Sequence, residues 1–214
     1  VVDGLTPRGW WTLEVQAADQ AGNLSTDGSH TLLVGQPTLS LSVTPAPLYV
    51  RPGDPVVLHM NVTGLPVPVN ACQAVIGYDS AFFPNPTGGI VNPGGPPWDA
   101  LIWAAWDVSA GELDTAIGVL AQGTVGTMAD GTVAIIELIA GTQDGTTRVI
   151  FRPDLDPDPF LTETTYFADL AGNVILPAKE ESQDIIIDGT GPMVSGLSAT
   201  QNGNNVLDGV RPVE

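Results

Sequence analysis

The sequence predicts an all-β protein, and three observations lead to that prediction. First, the apolar residues fall in short segments in which they alternate with polar ones, the pattern of half-buried strands. Second, the 25 glycines and 19 prolines of the 214 residues are spread along the chain, which favours many short strands joined by turns. Third, no segment shows a long amphipathic helical period. Residues 106–120 come closest, and Gly111 and Gly118 argue against a helix there.

The predicted strands run along the whole chain. The first two are 11–17 and 31–34, and the turn Asp19–Asn23 lies between them, because Asp, Gly and Asn tolerate unusual backbone angles. Further strands are predicted at two places within 50–79, and at 36–44, 98–108, 117–121, 132–140, 146–151, 164–168 and 184–188. The Pro/Gly-rich segment 82–97 is predicted to contain no strand, because proline cannot donate to a ladder.

The most specific motifs lie within and after residues 50–79. The turn Arg51-Pro-Gly-Asp54 precedes a strand, a later strand ends in Gly77-Tyr-Asp79, and Asp130-Gly-Thr132 stands before the most apolar segment. In this order the motifs resemble those of a cohesin domain, and the resemblance spans 36–188. It implies a cohesin-like jelly-roll β-sandwich and a dockerin-type protein partner. The family's usual Pro after Tyr-Asp is replaced here by Ser80.

One motif is repeated near the end of the first segment and near the end of the central one. The sequence A-D-x-A-G-N occurs at 18–23 and again at 168–173, and its primary role is predicted to be a structural turn, with a ligand role as the alternative. Residues 1–35 resemble the last strands of a bacterial Ig-like surface repeat, and 189–214 resemble the first strands of another. The predicted domains are therefore 1–35, 36–188 and 189–214, with partial Ig-like β-sandwich strands at both ends of the cohesin-like sandwich.

The charge of the chain excludes two classes of partner. The formal net charge is −18, with six basic residues against 24 acidic ones, so the chain cannot neutralise phosphates and no nucleic-acid binding is expected. Attachment to an anionic membrane is excluded for the same reason, and no apolar run approaches the ~20 residues of a membrane-spanning helix. Cys72 is the single cysteine, so no intrachain disulfide forms, and its apolar surroundings predict a buried side chain rather than a nucleophile.

Catalytic motifs are missing from the sequence. The two histidines, His30 and His59, stand apart, and neither a G-x-S-x-G nor an H-E-x-x-H motif is present. We therefore predict that the chain is not an enzyme, although the abundance of acidic residues leaves a glycosidase pair open by count alone.

One acidic loop has the composition of a calcium site. Asp154, Asp156 and Asp158 alternate with Leu155 and Pro157, and neighbouring prolines stiffen the loop. Calcium takes six to eight hard oxygen ligands, and a stiff loop lowers the entropy cost of gathering them. The loop lacks the Gly and the final Glu of an EF-hand. The two interpretations are a Ca²⁺ site at these three residues and a solvated acidic turn.

Tryptophans raise the question of carbohydrate binding. A glycan could stack on a platform of tryptophan rings, and two groups could form one: Trp10 with Trp11, and Trp98 with Trp103 and Trp106. In a strand Trp103 and Trp106 point to opposite faces, so at least one of them is expected in the core.

Together these observations predict a structural or adhesive module of a secreted bacterial surface or filament protein. The first strands of one copy, in 189–214, are expected to complete the last strands of the next copy, in 1–35, giving head-to-tail assembly. The alternative for the ends is a window onto a longer chain of repeats, since Val1 does not begin like a nascent chain. The alternative for the function is a receptor for a dockerin-like module or a glycan.

Overall fold

The structure is a computed structural model that describes residues 8–18, 20–21, 24–84, 89–120, 125–153, 164–190, 200–201 and 204–205. Every regular element in these ranges is a β-strand, which confirms the all-β prediction. The strands are β1 (Gly9–Ala18), β2 (Leu24–Val34), β3 (Thr38–Val43), β4 (Leu48–Val50), β5 (Pro55–Thr63), β6 (Val69–Gly77), β7 (Ile90–Pro93), β8 (Ala100–Asp107), β9 (Glu112–Gly118), β10 (Gly131–Ile139), β11 (Gly145–Thr147), β12 (Ile150–Phe151), β13 (Tyr166–Asp169), β14 (Val174–Ile175), β15 (Ala178–Glu180), β16 (Ile185–Ile187), β17 (Thr200–Gln201) and β18 (Asn204–Asn205).

Two sheets form a sandwich around one hydrophobic core. One sheet has the strand order β15-β3-β5-β10-β7, and the other, six-stranded sheet has the order β14-β13-β6-β9-β8, with β12 also paired to β6. A single core cluster joins side chains of both, among them Leu58 and Ile136 of the first and Ile117 and Phe167 of the second. Such a shared core is what two face-to-face sheets require.

The alternation of apolar residues explains why these segments are strands. In β5, Val56, Leu58 and Met60 are completely buried, whereas Val57 between them is exposed. Successive side chains of a strand point to opposite faces, so one face of β5 packs on the core and the other faces solvent.

The first and last strands of the sandwich lie side by side. β3 pairs in parallel with β15, and β4 pairs in parallel with β16, which belongs to a three-stranded sheet β11-β16-β4. Pro45 and Pro47 separate β3 from β4, and neither can donate a backbone hydrogen bond, so the ladder is interrupted there. The chain thereby passes from one sheet into another, which is a jelly-roll type of connection.

Two sequence-based predictions of strands need correction. The segment 82–97 does contain a strand, because β7 pairs with β10 from Ile90↔Glu137 to Pro93↔Ala134. β7 is the last strand of its sheet, and proline is tolerated at an edge. The strand predicted at 117–121 is in fact β9, which begins five residues earlier, at Glu112.

A hairpin precedes the sandwich. β1 and β2 pair antiparallel from Gly9↔Val34 to Ala18↔Leu24, with a bulge at Glu14/Val15. The two strands predicted within 1–35 are therefore present. The division into 1–35, 36–188 and 189–214 as separate domains remains a prediction.

Candidate interaction face

An exposed apolar strand stands out on the six-stranded sheet. β8 is the last strand of that sheet, and among the described strands it pairs with β9 alone. Leu101, Ile102 and Trp103 of β8 are 42%, 57% and 38% exposed. These three neighbouring exposed apolar side chains, on a chain with a net charge of −18, make β8 a candidate interaction site.

The register shows which of these side chains share the outer face. Leu113 and Ile117 of β9 are fully buried and point into the core, so Ala116 and Gly118 lie on the opposite, outer face. Trp103 stands directly opposite Ala116 and therefore shares that face. Ile102, at a bulge, lies over Gly118, where an added Cβ would be 3.2 Å from its Cδ1. The outer face thus carries two large apolar side chains, Ile102 and Trp103, next to the smaller Gly118 and Ala116.

Acidic side chains flank this apolar patch. Asp107 stands opposite Glu112, and Asp114 stands opposite Ala105, at the end of the β8–β9 hairpin. The Nε of Arg152 lies 3.0 Å from Oε2 of Glu112, so this carboxylate is paired with a cation. The patch therefore has a negative border on one side.

The turn between β8 and β9 is fixed by Asp107. Its Oδ1 accepts hydrogen bonds from the Ser109 hydroxyl at 2.6 Å, the Ser109 amide at 2.9 Å and the Ala110 amide at 3.0 Å. The Ser109 hydroxyl and then the Ala110 amide are the main reasons that the pKa of Asp107 lies below its usual range. Asp107 thus stays ionised and holds the end of the patch in place.

The tryptophans behave as strand alternation requires. Trp98 is completely buried, Trp106 packs against the core and meets the ring of Tyr78 at a centroid distance of 5.9 Å, and Trp103 faces outward. The expectation that Trp103 and Trp106 point to opposite faces is confirmed. A glycan platform made of all three rings is therefore not formed.

The predicted metal ligands Asp154, Asp156 and Asp158 lie outside the described residues. Within the described ranges, no group of three or more His, Cys, Asp or Glu side chains is arranged to hold a metal ion. Cys72 is completely buried, and burial strongly raises the pKa of its thiol, which agrees with the prediction of a buried, unreactive side chain.

Sequence reasoning did not single out Leu101 and Ile102. A run of apolar residues with little alternation is typical of a strand buried on both faces, and β8 has this composition. Its exposure follows from its place at the edge of the sheet, which the pattern of one strand does not reveal. Separately, no helix long and apolar enough to cross a membrane is found in the described parts of the chain.

Comparisons with known proteins bear on the fold. No protein-family model matches the sequence, and no curated protein matches it either. Solved structures do match. The solution structure of CaCohA2 from Clostridium acetobutylicum is 17% identical, with 73% of this chain and 94% of that chain covered and a TM-score of 0.54.

Two further structures give the same result. The second type II cohesin module of the cellulosomal adaptor ScaA scaffoldin of Acetivibrio cellulolyticus is 14% identical, with 73% of this chain and 98% of that chain covered and a TM-score of 0.53. A chain of the type I cohesin–dockerin complex Coh-OlpA-Doc918 from Clostridium thermocellum is 14% identical, with 72% and 99% covered and a TM-score of 0.51. The chain therefore contains a cohesin-like β-sandwich, as the motifs at 51–54, 77–79 and 130–132 predict.

Proposed function

We propose that this chain is a protein-binding module, and that its partner docks on the outer face of the six-stranded sheet at β8. The observation that carries the proposal is the pair of exposed apolar side chains Ile102 and Trp103 on that face, beside the exposed Leu101 at the edge of the sheet. No catalytic role is proposed.

The patch has the physical properties of a binding surface. Burying an exposed aromatic or aliphatic side chain removes apolar area from water, worth about 25 cal/mol per Å². Tryptophan is also the residue most enriched among side chains that dominate binding energy. Ala116 and Gly118 are themselves buried, so a partner would contact the larger side chains of Ile102 and Trp103. The acidic border favours a partner with lysine or arginine around its apolar anchor, and such a border speeds association at low salt.

A dockerin-type module is the partner class that we favour. The support is the cohesin-like fold, together with the structural match to a chain of a type I cohesin–dockerin complex. A glycan is the less favoured ligand, because Trp103 is the sole exposed tryptophan among the three in 98–106.

The test is binding of the full chain to a panel of immobilised type I and type II dockerin modules, followed by substitution. Trp103→Ala is expected to weaken binding about thirtyfold, or by about 2 kcal/mol, as is typical of a central aromatic anchor. Tyr49→Ala is the matched control, because Tyr49 is 68% exposed on a different sheet and should change affinity less than twofold. Equal binding by Trp103→Ala and the wild type, or binding to a glycan array and to no dockerin, would contradict the proposal.

A structural role is the second candidate, and the β1–β2 hairpin favours it. Trp11 stands opposite Leu32, and both, like Leu13, are exposed on a sheet of two strands. Two-stranded sheets of this kind are marginal alone and recruit further strands. We propose that a neighbouring copy or adjacent repeat covers this surface, in a secreted bacterial surface or filament protein.

Sedimentation velocity at increasing concentration tests the self-association, and Leu13→Lys should abolish it. A monomer at every concentration would exclude assembly between copies. Fractionation of the source cells tests the location, and recovery of the protein in the cytosol would contradict an extracellular role.

A further inference from the structure

The repeated A-D-x-A-G-N sequence is, in its second copy, a turn closed by a carboxylate. Oδ1 of Asp169 accepts hydrogen bonds from the amides of Ala171 at 2.9 Å and Asn173 at 2.8 Å. Oδ2 accepts a third from the side-chain amide of Asn173 at 2.8 Å. The predicted structural role of this motif is therefore present at 168–173.

The same carboxylate also binds a group from outside the turn. Trp10, in β1, donates its indole Nε1–H to Oδ2 of Asp169 at 3.0 Å, across 159 residues of sequence. Asp169 is only 7% exposed, and a buried carboxylate needs partners for its remaining lone pairs. Burial raises the pKa of Asp169, but the hydrogen bonds from Asn173, Ala171 and Trp10 outweigh this effect and hold it below its usual range. The turn supplies three donors, and the preceding hairpin supplies the fourth.

Other contacts at the base of the hairpin support this docking. Arg8 donates its Nη1–H to the carbonyl of Gly64 at 3.2 Å. A Cβ on Gly35, just after β2, would lie 3.2 Å from Cβ of Pro66, so the backbone passes close to the 64–67 loop. Leu33, which stands opposite Trp10, packs against the core of the sandwich. Both strands of the hairpin are thus attached, one to the 64–67 loop and the Asp169 turn, the other to the core.

We propose that the A-D-x-A-G-N turn is an inter-module docking site, whose ligand is the indole N–H of a tryptophan in the neighbouring hairpin. Through this site the sandwich holds the β1–β2 hairpin in one orientation. The junction at residues 35–36 is then a fixed joint, and it does not act as a flexible linker. This proposal is independent of the binding face at β8.

The orientation of the hairpin can be measured directly by spin labelling. Thr31→Cys in β2 and Glu180→Cys in β15 are exposed labelling positions, and the native Cys72 is buried and does not react. Pulsed electron–electron double resonance on the full chain should give a single narrow distribution of distances between the two labels. Trp10→Phe keeps an aromatic ring but removes the donor, and the narrow peak should be lost.

The matched control is Trp11→Phe, because Trp11 is the next residue in β1 and points to the opposite face. This variant should keep the narrow peak. A broad distribution in the unsubstituted background would show that the joint is flexible. A narrow distribution that survives Trp10→Phe would show that the indole bond does not set the orientation. Either result would overturn the proposal.

A thermal-unfolding cycle provides a second test. Trp10→Phe should lower the melting temperature of the chain that has Asp169, and should have a smaller effect in the chain that carries Asp169→Ala, which has no side-chain acceptor. Additive effects of the two substitutions would show that the two groups do not act through one bond, and would overturn the assignment of Asp169 as the acceptor.

Discussion

Substituting Gly111 by alanine tests how the β8–β9 hairpin is joined to the rest of the sheet. Gly111 has a φ of +63°, and its carbonyl accepts a hydrogen bond of 2.8 Å from the amide of Tyr78, at the end of β6. A Cβ built on Gly111 would overlap the carbonyl oxygen of Tyr78. An alanine there cannot be accommodated unless the two backbone segments separate.

The expected loss of unfolding free energy for Gly111→Ala has two parts. A non-glycine residue in the left-handed region costs about 1–2 kcal/mol. Separating the segments weakens the bond between the Tyr78 amide and the Gly111 carbonyl, which is worth about 1 kcal/mol net. The expected loss of unfolding free energy for Gly111→Ala is therefore about 2–3 kcal/mol, or roughly 4–12 °C in melting temperature for a chain of this size.

Gly53→Ala is the matched control. Gly53 has a φ of +87°, in the Arg51–Asp54 turn, but no atom lies within 4 Å of the position its Cβ would occupy. Gly53→Ala should therefore lower the free energy of unfolding only by the conformational part, about 1–2 kcal/mol. Urea unfolding of the full chain gives both values, and the difference between them isolates the contact with Tyr78. Equal losses for Gly111→Ala and Gly53→Ala would refute the steric argument.

Three further tests concern the stability of the chain at acid pH, the thiol of Cys72 and the acidic loop 154–158. The pKa of folded Asp169 lies below its unfolded value, so its stabilisation should be complete above about pH 4 and lost as the pH falls further. The free energy of unfolding, measured in urea, should therefore depend less on pH for Asp169→Asn than for the wild type. An unchanged pH dependence would contradict this. Cys72 should react with a thiol reagent only as fast as the chain unfolds, whereas rapid reaction of the native protein would contradict its burial. We propose that Asp154, Asp156 and Asp158 bind Ca²⁺, so a chelator should lower the melting temperature and Asp156→Asn should reduce that effect; a melting curve indifferent to calcium and chelator would exclude the site.

The sequence predicts strands well where one strand's own pattern is enough. The segment 132–140 is the strongest example. It corresponds to β10, which lies between β5 and β7 and buries Val133, Ile136 and Leu138 in the core. β7 was missed because Pro93 is acceptable only at an edge, and edge position is a property of the whole sheet. The early part of β9 was missed because Glu112 and Asp114 face outward and dilute the apolar signal.

The candidate site illustrates the same limit. The sequence identifies Trp103 as one of a pair that must face opposite ways, and the structure agrees. It does not reveal that Leu101 and Ile102 are exposed, because that depends on which strand stands beside β8. The coupling of Trp10 to Asp169 joins residues 159 apart in sequence, and no local pattern could indicate it.

The parallel pairing of the first and last strands has a mechanical consequence. Thr38, at the start of β3, lies beside Ala178, while Ile187, at the end of β16, lies beside Val50 at the end of β4. The chain therefore enters the sandwich at one end and leaves it at the other. Tension applied along the chain would pull β3 and β4 against β15 and β16 in shear, loading their hydrogen bonds together instead of opening them one after another. A module connected in this way is suited to carry a pulling force between whatever is attached before it and after it.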